Sequence, residues 1–454
     1  MKELNKKLPI PKHVSSLVAK IEARGYMAFI VGGAVRDLLL GRRPEDWDIA
    51  TDASPSELTK IFPRVIPTGI KHGTVSVLLN NKTIEVTQFR AGGHLSGKLK
   101  EDLRHRDFTI NAMAYNPSTH KIIDPWGGMA DLEKGIIRGV ENPAKRFEED
   151  PLRVLRAIRL AASFNFKIDN ETFKTIPRYA RRLKNVSVER IREEFLKMLE
   201  TERPSEAVET CHKLEILEVI LPELLEGHGM RQNRYHVYDV YWHSLVTINY
   251  LPKNAFKRWV GLLHDIGKPR CRTIKNGVCH FYGHAKVSAK MAREIMSRWR
   301  FSNAEIEKAE KLIANHMLHN FKLWKASAFR RLVIRVGKEN IEDLLELWKA
   351  DRLAHGTEPP EKVEDDFRLL NQQIKRTLET FDVFSVKDLA IGGKEIMEIT
   401  GLSPGPAVGQ VLRRLMDEVI KDPQKNTPDT LKDIVRKIGK DYEGRHTKQH
   451  RLGS

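Results

Sequence analysis

The stretch Phe29-Ile-Val-Gly-Gly-Ala-Val-Arg-Asp-Leu-Leu-Leu-Gly41, with Asp46-Trp-Asp48 close behind, most restricts how this chain can fold. An apolar run from Met27 to Val31 reads as a short buried strand that stops at Gly32-Gly33. A helix of about two turns is expected over Ala34 to Leu40, with Gly41 as its terminator. Trp47-Asp-Ile-Ala then opens a second strand. Residues two apart on a strand share a face, so Asp46 and Asp48 are expected side by side. Such a carboxylate pair is kept ionised by a bound cation, and a hard ion with oxygen ligands, magnesium above all, is the natural partner. The glycines let backbone N–H groups and a helix N-terminus approach a phosphate carried by that ion. A lone Asp-x-Asp fits a solvated turn equally well. Joined to Gly-Gly and Arg36-Asp37 at this spacing, it predicts nucleotidyl transfer.

The rest of the chain gives that site a setting. At 454 residues it suggests roughly two to four domains. No apolar run is long enough to span a bilayer, and the N-terminal residues lack a signal-peptide core. Three cysteines, Cys211, Cys271 and Cys279, imply a reducing, cytoplasmic setting rather than a disulfide framework. The formal net charge of +18 points to a polyanionic partner, nucleic acid first, and composition alone fits a basic surface kept for solubility about as well. The polar, basic end from Arg445 to Ser454 is expected to fray.

Residues 9–24 read as an amphipathic helix, and residues 27–135 alternate short strands with Gly-rich turns. Val75–Leu79 and Thr83–Arg90 form a hairpin signal around Asn80-Asn-Lys82; Glu85 in its second strand is either a third carboxylate for Asp46 and Asp48 or a solvated position. From about residue 140 helical periodicity takes over, with one helix expected over Phe147–Phe164 and another over Val188–Leu199.

Three further clusters carry chemistry. Glu101-Asp-Leu-Arg-His-Arg106-Asp107-Phe-Thr-Ile-Asn111 offers arginine for phosphate and carboxylate for a ribose hydroxyl, or else a charged helix start. Ile122-Ile-Asp124-Pro-Trp-Gly-Gly128 is a turn-rich link whose glycines are hinges or substrate contacts. Glu149-Asp150-Pro-Leu-Arg153 places a carboxylate and a guanidinium three apart at a helix start, able to read a base edge or to form a plain ion pair.

Together these motifs, over roughly residues 25–225, resemble the class II tRNA nucleotidyltransferase and poly(A) polymerase family. The resemblance implies an α+β fold: a polymerase-β-like nucleotidyltransferase head, then an all-helical neck, an HD-type body and a helical tail. The expected boundaries are 1–135, 136–225, 226–380 and 381–454. It also implies that Gly32, Gly33, Arg36 and Asp37 form the first motif and that Asp46 and Asp48 are catalytic and hold Mg2+, joined by Glu85. Arg106, Asp107 and Asn111 would contact ribose and triphosphate, although the family's Arg-Arg-Asp is here His105-Arg-Asp. Asp150, Arg153 and Arg156, with Glu149 beside them, would select the base. The implied reaction is attack of a tRNA 3′-hydroxyl on the α-phosphate of an NTP, and the basic helical half would grip the tRNA acceptor end.

In the second half, His243, His264-Asp265-Ile-Gly-Lys268, His284, His316 and Asp351 follow one another. Imidazoles and carboxylates from several helices are what a hydrolytic two-metal centre requires. Their order resembles the HD phosphohydrolase superfamily. That implies His243, His264, Asp265 and Asp351 as core ligands, His284 and His316 as ligands to a second ion, and a divalent transition metal as cofactor. His236 and His280 fall outside this pattern. The implied activity is hydrolysis of phosphate monoesters or cyclic phosphates; an inert tRNA platform is the alternative.

Two rivals rank lower. Poly(A) polymerases of the superfamily tend to carry a Gly-Arg/Lys-Arg/Lys-Phe segment where this chain has Gly69-Ile-Lys-His-Gly-Thr74, and a non-catalytic RNA-binding protein would not keep the carboxylates. Only residues 91–101 separate Arg90 from Asp102, a shorter connection than in many CCA-adding relatives, where it acts as a lever for the change from CTP to ATP. The expectation is therefore a CC-adding enzyme using CTP, with an A-adding partner acting on the same tRNA; full CCA addition using ATP as well is the alternative.

Overall fold

In the computed structural model, residues 2–69, 73–79, 82–91, 94–95 and 99–438 are described. Residues 70–72, the turn at 80–81, much of the 91–101 connection and the basic end lie outside the described residues. The chain divides into two compact units, Met1–Pro222 and Glu223–Ser454.

The first unit is built on an eight-stranded sheet. Its strands are β1 (Lys2–Asn5), β2 (Ala28–Val31), β3 (Asp48–Thr51), β4 (Val65–Gly69), β5 (Thr74–Leu79), β6 (Lys82–Gln88), β7 (Ala114–Asn116) and β8 (Lys121–Asp124), in the order β1-β8-β7-β2-β3-β6-β5-β4. The predicted hairpin is present as β5 and β6, antiparallel from Thr74↔Thr87 to Leu79↔Lys82. One face is covered by α1 (Lys12–Glu22), whose Val14, Leu17, Val18 and Ile21 recur at helical spacing and pack with Ile30, Ile49, Val86 and Tyr115. The helix α2 (Gly33–Leu39) follows β2 directly, and Gly41 takes the positive φ of 70° that ends it.

Helices dominate after the sheet, with one short parallel pairing of Ile136–Ile137 and Lys167–Ile168 that the helical periodicity conceals. The single helix expected over residues 147–164 is two: α3 (Pro143–Glu149) and α4 (Arg153–Phe164). The break has a local cause. Pro151 disfavours the α conformation at Asp150, which is extended at φ −147° and ψ 101°. By contrast α5 spans Val188–Leu199 as read from its pattern.

The second unit is helical apart from one hairpin. The helices that matter here are α6 (Val240–Tyr250), α7 (Ala255–Leu263), α8 (His284–Arg298), α9 (Asn303–Asn315) and α10 (Ile341–Ala354). The hairpin strands are Thr273–Lys275 and Val278–His280. A separate apolar core closes the chain, with Ile396, Val411, Leu415, Val419 and Val435 buried together. Among the described residues no helix is long and apolar enough to cross a membrane.

Candidate active site and candidate metal centre

In the first unit, the parallel pairing of β3 with β6 sets Asp48 opposite Glu85. That register brings Glu85 beside Asp48, and its side chain is also exposed to solvent, so both sequence readings of Glu85 describe it. Asp46 lies just ahead of β3 rather than on it, exposed, yet its charge reaches both neighbours. Burial raises the Asp48 pKa, Arg106 opposes that and Asp46 adds to it. Burial, then Asp48 and Asp46, also raise Glu85. Mutual repulsion of this kind is what a hard divalent cation would relieve, although the donor atoms of Asp46, Asp48 and Glu85 do not all lie within 4.8 Å of one another.

Gly32 has a functional geometry. Its φ is +73°, and a Cβ there would stand 2.6 Å from Arg106 Nη1 and 3.5 Å from Asp48 Oδ2. Only glycine lets that guanidinium lie against the strand end beside the carboxylate. Gly128 is equally constrained, since a Cβ would meet the Thr109 carbonyl oxygen at 2.1 Å, and the Asp124 carboxylate accepts from the Gly128 and Met129 N–H groups. These glycines are structural.

Asp48, Glu85, Arg106, Asp107, Asp150, Arg153 and Arg156 line one open cavity of about 520 Å³, with His105 and Glu149. Arg36, Asp37 and Asn111 do not line it. Arg36 ion-pairs with Asp37 at 2.8 Å, donates to Asn111 Oδ1 at 2.7 Å and lies 4.5 Å over the Phe164 ring. Asn111 in turn donates to Asp107 at 3.0 Å. Both Asp107 oxygens are engaged, the second by Arg156 Nε and Nη2 at 2.9 and 2.7 Å. Burial opposes ionisation of Asp107, but Arg156 and Asn111 overcome it and hold the carboxyl below its ordinary range. Arg156 is also bound to Glu194 at 3.5 Å.

Asp150 and Arg153 are not joined to each other through their side chains. Asp150 accepts from Arg190 at 2.7 Å, whereas Arg153 donates to Glu149 at 3.0 Å and to the His105 carbonyl at 2.7 Å. Each polar edge is thus set by its own partner, because Asp150 lies in the break and Arg153 begins α4. Arg190 and Glu194, both on α5, are site residues that the sequence reading missed.

In the second unit His243, His264, Asp265 and Asp351 form one buried group of potential ligands, Asp265, His284 and His316 form another, and His236, His243 and His355 form a third, partly buried one; within each, donor atoms lie within 4.8 Å of one another. Among the described residues, such groups occur only in this unit. The first two come from α6, the end of α7, α8, the end of α9 and α10. His264, His284 and His316 share one device: each Nδ1 meets the carbonyl oxygen three residues earlier, of Gly261, Phe281 and Ile313, at 2.7 Å. That bond fixes the tautomer and leaves Nε2 as a bare acceptor facing the cluster. Asp265 bridges these first two groups. Its Oδ2 lies 3.1 Å from His264 Nε2 and 3.3 Å from His243 Nε2, and its Oδ1 lies 3.2 Å from His284 Nε2 and 3.7 Å from His316 Nε2. His264 Nε2, His284 Nε2 and Asp265 Oδ1 are buried without a hydrogen-bond partner, whereas Asp265 Oδ2 is held by the Lys268 ammonium at 2.6 Å. Orphaned acceptors of this kind fit one or two metal ions.

His236, set aside in the sequence reading, belongs beside this cluster: its ring packs edge-on against His243 with centroids 5.1 Å apart. His355 was missed, although it sits one helical turn after Asp351 and reaches that carboxylate at 3.3 Å. His280 instead stacks on Tyr282, outside the ligand groups.

Residues 28–138 match the poly A polymerase head domain family, residues 165–227 a probable RNA-binding region of polymerase A, and residues 272–435 a second domain of tRNA nucleotidyltransferases. The chain is 32% identical to a CCA-adding enzyme of Pediococcus pentosaceus, over 94% of its own length and 98% of the relative's. It is 31% identical to an A-adding tRNA nucleotidyltransferase of Deinococcus radiodurans, over 86% and 91%. The Bacillus stearothermophilus CCA-adding enzyme in complex with CTP superposes with a TM-score of 0.71 at 26% identity, covering 96% of this chain and 98% of that one.

Proposed function

The chain belongs to the tRNA nucleotidyltransferase family, and from that premise we propose that its first unit completes tRNA 3′ ends with C and A residues drawn from CTP and ATP. The support is the CCA-adding relatives together with the cavity that gathers Asp48, Glu85, Arg106, Asp150, Arg153 and Arg156. The tRNA 3′-oxygen forms a bond to the α-phosphorus, the bond to pyrophosphate breaks, and the hydroxyl proton leaves to solvent. Asp46, Asp48 and Glu85 would hold magnesium, which would supply activation of the hydroxyl and charge relief on the leaving oxygen. Arg106, admitted by Gly32, faces the phosphates. Asp150 and Arg153 present a base with an acceptor and a donor, while Asp107, Asn111 and Arg36 brace Arg156 and α2 from behind.

One observation favours a second reading, in which addition stops after two C residues. The 91–101 connection is shorter than in many CCA-adding relatives, where it acts as a lever for the change from CTP to ATP, and so has less reach to move Asp150 and Arg153. An A-adding partner would then finish the tRNA. tRNAs ending at the discriminator base, after C and after CC, offered CTP and ATP separately, test both: ATP incorporation onto the CC end at a rate near that of CTP establishes full CCA addition, and its absence establishes the CC-only enzyme.

We further propose the four-part division at 135, 225 and 380, with the last three parts holding the tRNA acceptor end, and an HD phosphohydrolase in the second unit. Two ions at His243, His264, Asp265, Asp351, His284 and His316 would supply Lewis acidity to a phosphate ester. Phosphate release from an ester with manganese, nickel, cobalt or magnesium checks this; no release with any of the four refutes it.

A further inference from the structure

Two exposed tyrosines without a role so far stand on segments that run into the histidine cluster. Tyr282 is 74% exposed, and His280 covers only one of its faces, the rings 7° from parallel with centroids 5.1 Å apart. Two residues later His284 enters the cluster. Tyr235 is 56% exposed, with the Arg234 guanidinium 5.1 Å over its ring, and the next residue is His236. The two segments converge on one ammonium group. Lys268 Nζ ion-pairs with Asp265 at 2.6 Å, donates to Gln232 Oε1 at 2.7 Å, lies 3.4 Å from His236 Nε2 and sits 5.8 Å over the Phe281 ring. Neighbouring Arg272 and Lys275 on the hairpin are exposed and add positive charge.

We propose that Tyr235 and Tyr282 hold the bases of an RNA 3′ end whose terminal phosphate ester lies in the histidine cluster; this rests on reading that cluster as hydrolytic. A small phosphate ester needs neither ring. Every base has a π-face, so open aromatic rings flanked by cations bind a strand end with little regard to its sequence. In the reaction, a water oxygen bonds to phosphorus, the bond from phosphorus to the ribose oxygen breaks, and that oxygen takes up the proton water loses. Phosphate and a free hydroxyl result.

The test compares a 3′-phosphorylated ribodinucleotide with methyl phosphate, which has no base, in full-length protein loaded with manganese. Tyr282→Ala and Tyr235→Ala should each lower the ratio of their kcat/KM values about tenfold, and Tyr→Phe, which keeps the ring, should restore it. An unaltered ratio in both alanine variants overturns base holding while leaving the hydrolytic reading intact. If wild-type protein hydrolyses neither substrate, the hydrolytic reading fails, and binding decides the rest. Anisotropy of a fluorescein-labelled 3′-phosphorylated ribodinucleotide is then measured on the Asp48→Ala protein and its Tyr282→Ala derivative. About tenfold weaker binding in the derivative supports base holding, and equal binding overturns it.

Discussion

The two units gather potential metal ligands from opposite materials. In the first, carboxylates on the interior strands β3 and β6 open onto a cavity; Asp46, just ahead of β3, is exposed and the geometry comes from strand register. In the second, imidazoles and carboxylates from five helices meet in a buried cluster, and three of the rings, His264, His284 and His316, are aimed by a bond to the carbonyl three residues earlier. The sheet site offers only oxygen donors, which suit hard ions, and the helical site adds imidazole nitrogens, which suit transition metals. A shared need for metal therefore does not mean shared metal selectivity.

That contrast can be broken by substitution. Asp48→Ala should lower nucleotide incorporation at least about a thousandfold while leaving tRNA gel-shift affinity and ester hydrolysis in place, since basic residues elsewhere hold the RNA. Equal loss of tRNA binding would show that the acids also support the RNA. His264→Ala should lower ester hydrolysis about a hundredfold or more and reduce bound metal measured by mass spectrometry, with CTP addition retained. If CTP addition fell in parallel, the two sites would not be separable.

A third substitution sharpens the role of the buried ion pair behind the first site. Arg156→Met leaves Asp107 buried without its partner and should cost about 2–3 kcal/mol of unfolding free energy, below the full buried-pair value because Arg156 is partly exposed. The pH dependence has a definite sign. Asp107 has a depressed folded pKa, so its contribution is complete above the unfolded carboxyl value of about 3.9 and is lost as pH falls through the folded one. Urea unfolding of wild type between pH 5 and 2.5 should show this loss, and Asp107→Asn should flatten it. The smallest effect is expected from Glu85→Gln, roughly a tenfold fall in CTP incorporation at low magnesium that rising magnesium partly restores. No change would make Glu85 a spectator.

What the sequence made legible follows the range of the interactions involved. The strand–Gly-Gly–helix unit, the hairpin and Val188–Leu199 are local patterns, and so is the order of HD-type ligands. The three strands β1, β7 and β8 that complete the sheet are too short to show a period, and their pairing is set by distant partners. Arg190 with Asp150, Glu194 with Arg156, and His236 with His243 join residues far apart in sequence or in different elements, so no spacing announces them. His355 did have a local signal, the i, i+4 relation to Asp351 on one helix face, which went unused. The helix break at Asp150 was likewise written in Pro151.

The pairing of β3 with β6 has a further consequence. Glu85 is locked opposite Asp48 by backbone hydrogen bonds that end at Thr51↔Gln88, before the 91–101 connection begins. A one-residue insertion within β6 would turn Glu85 to the other side of the sheet. Length added after Gln88 leaves the acids where they are. The placement of the acids is thus independent of how long that connection is, and a graft of a longer connection should leave the response of CTP incorporation to magnesium unchanged.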